Sequence, residues 1–497
     1  MTAELVQPSD AGERQGTPRS LWMLVTTGPA LRTSMIGGVL VAEEAIGSAF
    51  DLNPGQLAIL LECLVFGGLL AIFLLPPLIR AVGCRGLSIV SACLAAALLL
   101  VAMVFGPTLQ SGPATTVILF LSASLLGIFV AIPAPVSQSM LNDATTNDRK
   151  QRSALQSVWS AGQPIGFIAA AFIGGILVEA FGWWAALSIP LTVSIILALS
   201  LIHPATDHPA PEDMAESRPP ASEILIIIVA LLAFEIWSTW GSLASWLDPA
   251  VLAMMLVTIV VSLVTIGHVR RTEHPAISMK PFAVTGFAAA FAILLIYQLP
   301  TTAEFEVLLL TELKNTSDIA IGNRTSFGNA AQVAGTAVAA ALLLRRRAWL
   351  AVAAGFACSI LGLASYFLYF WWYGDLLITL TRAVAGFGAG LLLPVLFVVA
   401  LRQMPARLHF AASTWLVLAT IGGTELGLAV YDMVLDVTSQ ITQSRAEGYV
   451  AVEIAQLLTI LATGILTLWT LRFAGLSLAV PARFDQREQP SEAAKSA

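Results

Sequence analysis

The chain is 497 residues long, 57% hydrophobic and only 11% charged. A soluble domain carries about 25% charged residues, so this composition excludes a soluble enzyme and describes an integral membrane protein with many crossings. The formal charge of −6 decides little, because in a membrane protein the position of a charge matters more than the sum. No basic stripe is interleaved with aromatics, which excludes nucleic acid as a partner and leaves the lipid bilayer and a small molecule. The four cysteines, Cys63, Cys84, Cys93 and Cys358, are scattered singly with no metal-ligand or disulfide spacing, so no metal or other cofactor is expected.

The first 21 residues are polar and read as a cytosolic tail, not a signal peptide, because no short apolar core precedes a cleavage site. A crossing needs about 20 mainly apolar residues. Fourteen stretches qualify: 22–46, 56–79, 86–106, 114–136, 154–178, 183–203, 222–241, 248–269, 281–309, 323–344, 348–372, 375–402, 409–431 and 449–475. Pro, Ala and acids fill the linker at 204–221, and a basic linker occupies 270–280. The layout is therefore a six-helix bundle at 22–203, a two-helix insert at 222–269, a second six-helix bundle at 281–475 and a cytosolic tail at 476–497.

Charge placement supports this count. Arg80 and Arg85, then Arg149, Lys150 and Arg152, then Arg270 and Arg271, then Arg345, Arg346 and Arg347, then Arg402 and Arg407 all follow even-numbered spans. Loops after odd-numbered spans hold few positive charges. The bias puts both termini in the cytosol and requires an even number of crossings. Twelve crossings satisfy the same parity if the seventh and eighth stretches form a re-entrant pair.

Charges inside apolar helices single out residues, because an arginine at the bilayer centre costs roughly 3 kcal/mol or more. Arg382 opens the stretch RAVAGFGAGLLLP, in which Gly386 and Gly388 admit close backbone approach and Pro394 removes a donor and is expected to bend the helix. Arg32 and Glu43 lie eleven residues apart on one face of the first span, roughly 16 Å along the axis, with Gly37 and Gly38 between them. Glu425 sits mid-span beside a Gly-Gly pair and is expected to pair with Arg382 or to carry a proton. Glu62 lies in the outer half of the second span. Glu304 and Glu306 follow Pro300 and face opposite ways, so at most one can line a cavity. Trp183, Trp184, Trp237, Trp240, Trp246, Trp371 and Trp372 are expected at the membrane interfaces, as an aromatic belt. Asp432 is expected to cap the outer end of its span.

Six plus two plus six spans, with the pattern R-x-x-x-G-x-G-x-x-x-x-x-P from Arg382 to Pro394, resembles the 14-helix drug:proton antiporters of the major facilitator superfamily. GGILVEAFGWW, which begins at Gly174 and Gly175, and EHPAISMKPF, from Glu273 to Phe282, are similar to that family's fifth helix end and its approach to the ninth helix. The family's marked arginine belongs to the fourth helix; here it stands in the twelfth, its repeat equivalent. The family's acid in the first helix is replaced by Arg32, the aspartate after the second helix by Arg80, and the Gly-Pro of the fifth helix by Ala170-Ala171.

The resemblance implies an all-α membrane fold of two six-helix bundles plus a two-helix insert, alternating access about a midplane cavity, the proton gradient as energy source and a multi-pass location in the cytoplasmic (inner) membrane. It places Glu62 near Glu43 and leaves the insert, with Glu235, packed peripherally. It also brings a periplasmic adaptor as a partner, which no residue feature marks. Three functions stay open: proton-coupled multidrug efflux of amphipathic organic compounds, transport of an anionic metabolite or siderophore clamped by Arg32 and Arg382, and a non-transporting membrane assembly protein on the same fold. All are read as transport or assembly and none as enzymatic.

Overall fold

Local chemistry starts the helices where the hydrophobic runs begin. In the computed structural model, which describes residues 19–145, 149–202, 220–272, 275–284, 286–301, 318–370, 375–402, 404–405 and 408–473, every regular element is helical. Helix α1 runs Arg19–Phe50 and α2 runs Pro54–Phe105. Asn53 and Gln56 form a reciprocal capping box at the start of α2, with bonds of 2.9 and 3.0 Å, and Pro54 occupies the first turn where its missing N–H is not needed. The 52 residues of α2 would reach about 78 Å as a straight rod, far more than a bilayer of about 30 Å. The chain turns inside it at Gly83, whose φ of 75° favours a residue without a Cβ. The second and third apolar stretches are therefore two arms joined by a bend. Just past it, Arg85 donates to the carbonyls of Leu201 and Ile202 at 2.7 and 2.8 Å, capping the helix that ends there.

The first half continues with α3 (Pro113–Ala131), α4 (Pro133–Ala144), α5 (Arg149–Ile168), α6 (Gly174–Phe181) and α7 (Ser188–Ser200). A wider π turn at Ala169–Ile173 links α5 to α6. Then come α8 (Ala221–Leu243) and α9 (Pro249–Arg271), capped by Asp248 accepting from Ala250 N at 2.7 Å. The second half holds α10 (Phe287–Gln298), α11 (Asp318–Leu344), α12 (Ala348–Tyr366), α13 (Asp375–Leu401), α14 (His409–Thr442) and α15 (Arg445–Phe473).

Among the described residues, twelve helical runs are long and apolar enough to cross a membrane; the bent run at 55–108 is one of them, and α10 is a shorter apolar helix. Leu256, Leu263 and Val264 of α9 are more than half exposed, a pattern that lipid, not water, satisfies. Packing within each half is by small residues. A Cβ at Gly67 of α2 would strike the Ser124 carbonyl of α3, and one at Gly127 of α3 would strike the Leu64 carbonyl of α2. In the second half α11 and α13 make the equivalent crossing.

The halves meet along α5 with α11 and α13, and α4 with α14. There Asn142 donates to Ser413 Oγ at 3.0 Å, and Trp159 packs against Phe397 with ring centroids 5.1 Å apart. The insert is asymmetric. Helix α9 is largely lipid-facing, while α8 lies against α2 and α14. Its closing loop is latched to α14: Trp246 donates from Nε1 to Asp432 at 2.9 Å and from its backbone N to Asp436 at 3.0 Å. Trp237 and Trp246 are thus buried, at 7% and 2% exposure, and not part of an interfacial belt; Trp240, 53% exposed, fits one. Asp432 serves as the acceptor of that latch.

Candidate functional site

The centre of the site follows from which face each helix turns outward. On α14, Gly423 and Gly427 press against the Leu295 and Leu299 carbonyls at the end of α10. Glu425 stands two residues from each, about 200° around the helix, so its carboxylate leaves the opposite face. On α1, Thr33 donates to the Gln163 carbonyl at 2.7 Å and ties its own face to α5. The neighbouring Arg32 points away from that seam, toward Gly68 of α2. The two charges meet: Arg32 Nη2 lies 4.0 Å from Glu425 Oε1, with side chains 19% and 9% exposed. One partner belongs to each half. At this separation the attraction is about 4 kcal/mol at an effective dielectric of about 20, while removing each ion from water costs several kcal/mol. Opening the pair therefore requires that water or a proton reach Glu425 in place of Arg32.

A second pair forms beside it. The contact of Gly55 with Leu243 fixes α2 and α8 as antiparallel neighbours. Eight residues in from each of the ends Pro54 and Leu243, about 12 Å at the helical rise, stand Glu62 and Glu235. Their carboxyl groups face each other closely enough to interact, and Glu235 also feels the charge of Glu425. Glu235 is 7% exposed, and no donor among the described residues completes a hydrogen bond to either of its oxygens.

Several expectations change accordingly. Glu425 reaches Arg32, whereas Arg382 donates to Tyr366 Oη at 3.5 Å within the second half. Arg382 lies seven residues from the start of α13, about two turns in, and not at the midpoint of its helix. Glu62 meets Glu235 of α8, and Glu43 is half-buried three turns beyond Arg32 on α1. Glu235 is not peripheral, because α8 is the inner helix of the insert. Glu304 and Glu306 lie outside the described residues.

The glycines of RAVAGFGAGLLLP serve packing on two sides: Gly386 sits on the Gly328 carbonyl of α11, and Gly388 on Gly355 and Ser359 of α12. Helix α13 runs on through Pro394 to Leu401. Gly37 packs against Phe167 and Ala170 and Gly38 against the Ala186 carbonyl, so helices and not a cavity fill the space beside them. Gly174 touches Val41 and Ala186, and the space beside Gly175 is open.

Sequence reasoning undervalued Glu235 and did not find the Asn142–Ser413 contact. An acid eight residues inside an apolar helix was a usable signal; polar residues near helix ends carry none. An apolar cleft of about 200 Å³ lies between the insert and both halves, walled by Phe73, Ile227, Thr265, Ile277 and Trp415, with the Glu223 carboxyl at its side.

The family model described as Major Facilitator Superfamily matches residues 24–424. No curated protein gives a significant match. Among solved structures, the chain is similar to the major facilitator proton:xylose symporter XylE bound to 6-bromo-6-deoxy-D-glucose, at 13% identity and a TM-score of 0.61, covering 92% of this chain and 95% of that one. It is also similar to the human organic anion transporter MFSD10 (TETRAN), at 15% identity and a TM-score of 0.59, covering 91% and 100%. At such identities the likeness is one of fold.

Proposed function

The chain belongs to the major facilitator superfamily and is a multi-pass secondary transporter, and from that premise we propose that it exports small amphipathic organic compounds in exchange for protons. The observation that carries the coupling is the Arg32–Glu425 bridge, one charge from each half. Protonation of Glu425 removes the attraction that holds the halves together at this point, and Arg32 attracts the carboxylate back when the proton leaves.

Two features support the rest of the reading. The bent run at 55–108 is long enough for two crossings, and α10 leads into the ninth apolar stretch, so fourteen crossings account for the helices with both termini on one side. Arginines cluster after the second, fourth, eighth, tenth and twelfth crossings, which favours the cytosol for that side. The apolar cleft with one carboxyl at its wall fits an amphipathic cation better than a sugar or an anion. Xylose and organic anions are named for the two fold neighbours, and neither sequence is near enough to carry its cargo over.

The test is flux of a fluorescent amphipathic cation such as ethidium in proteoliposomes, with and without a pH gradient. Wild-type flux is expected to follow the gradient and Glu425→Gln to abolish that dependence. Normal, gradient-dependent flux in Glu425→Gln would refute the role of the bridge. Flux of an organic anion that Arg382→Lys weakens would instead favour an anionic cargo, since Lys cannot make a bidentate contact.

A further inference from the structure

We propose that Glu62 and Glu235 form one proton-binding site beside the Arg32–Glu425 bridge, so that the two-helix insert supplies half of a titratable pair. This deepens the proposed coupling and rests on it only for the use made of the proton. The insert is built into the site by three contacts. Gly55 against Leu243 sets the register of α8 on α2, Thr258 of α9 donates to the Ala233 carbonyl of α8 at 2.9 Å, and Trp246 fastens the loop to Asp432 and Asp436.

The charges around the pair are few. Among the described residues, Cys63 comes from α2 and Glu425 from α14. Helices α3 and α7 carry no titratable residue, and those at α9, namely its cap Asp248 and His268, Arg270 and Arg271, lie at its ends. Arg32 of α1 is engaged by Glu425. Glu235 has two buried oxygens without a donor, facing a second acceptor. One proton meets all of these demands. It bonds to an oxygen of one carboxyl, donates from there to an oxygen of the other, and changes the charge of the pair from −2 to −1. Because Glu235 senses Glu425, loading the pair lowers the repulsion on Glu425, and emptying it favours proton uptake there.

Labelling by dicyclohexylcarbodiimide tests this without any transport. The reagent takes the proton of an un-ionised carboxyl onto its nitrogen while the carboxylate oxygen adds to its central carbon; the adduct is then located by mass spectrometry. At about pH 8 the full-length protein in detergent is expected to label at Glu62 or Glu235 at least ~10-fold more than at exposed Glu44, which corresponds to about one pH unit or more between the groups. In Glu235→Gln the second carboxyl is gone and the amide can donate to Glu62, so Glu62 labelling falls below that of the wild type; Glu62→Gln does the same to Glu235. Both variants keep side-chain shape, and a monodisperse elution profile confirms folding. A separate structural role for each carboxyl predicts labelling of Glu62 unchanged in Glu235→Gln, and that result overturns the shared site. Absence of labelling at both residues overturns it too, and protection by sodium at fixed pH reassigns the site to a monovalent cation. If labelling behaves as expected while ethidium flux ignores the pH gradient, the site stands and the transport reading falls.

Discussion

Arg32 and Arg382 stand one in each half, and both are arginines inside apolar helices. Arg32 reaches across the boundary to Glu425 at 4.0 Å, whereas Arg382 donates to the Tyr366 hydroxyl of its own half at 3.5 Å. Depth alone does not separate them. The face of the helix does: α1 gives its Thr33 side to α5 and turns Arg32 the other way, and α13 is wedged between α11 and α12 by Gly386 and Gly388. A charge on a wedged helix serves its own bundle, and a charge opposite a packing seam is free to serve the boundary.

The largest effect should come from breaking the boundary pair. Arg32→Ala leaves Glu425 buried without its partner and should destabilise the protein by about 3 kcal/mol, the lower end for a broken buried pair because Arg32 is partly exposed. Thermal unfolding in detergent reads this as a clear drop in midpoint. A drop no larger than that of Tyr366→Phe would erase the contrast between the two arginines. The latch between the insert and α14 comes next. Asp436→Asn weakens bonds to the Trp246 backbone N and the Ser245 hydroxyl, and about 1–2 kcal/mol should be lost. Proteolytic nicking of the 244–248 loop is expected to rise in step; unchanged protection would detach the insert from the account. Tyr366→Phe should matter least, at about 1 kcal/mol or below, since it removes one long hydrogen bond. A loss as large as that of Arg32→Ala would move the centre of the site to the second half.

The architecture was largely legible in the chain. Apolar stretches, arginine clusters and the polar linker predicted the order of helices, and the bend at Gly83 separates the two arms that the sequence assigns to the second and third stretches. Arg32, Glu62 and Glu425 were legible as costly charges. Their partners were not, because hydrophobic runs several turns wider than one face say how deep a residue lies and not which way it points. The pairing of Glu425 depends on Gly423 and Gly427 seating α14 on α10, a contact between segments more than a hundred residues apart. Composition does not mark Glu235 as central, because α8 and α9 are both apolar enough to cross a membrane and packing distinguishes the inner helix from the lipid-facing one.

The most direct test is a pair of double-mutant cycles on thermal stability, Arg32→Met with Glu425→Met and Arg382→Met with Glu425→Met. Contacting residues couple by about 0.5–3 kcal/mol and distant ones add to within about 0.5. Coupling of about 2 kcal/mol is expected between Arg32 and Glu425, and less than about 0.5 between Arg382 and Glu425. Additive behaviour in the first cycle, or the larger coupling in the second, would contradict it.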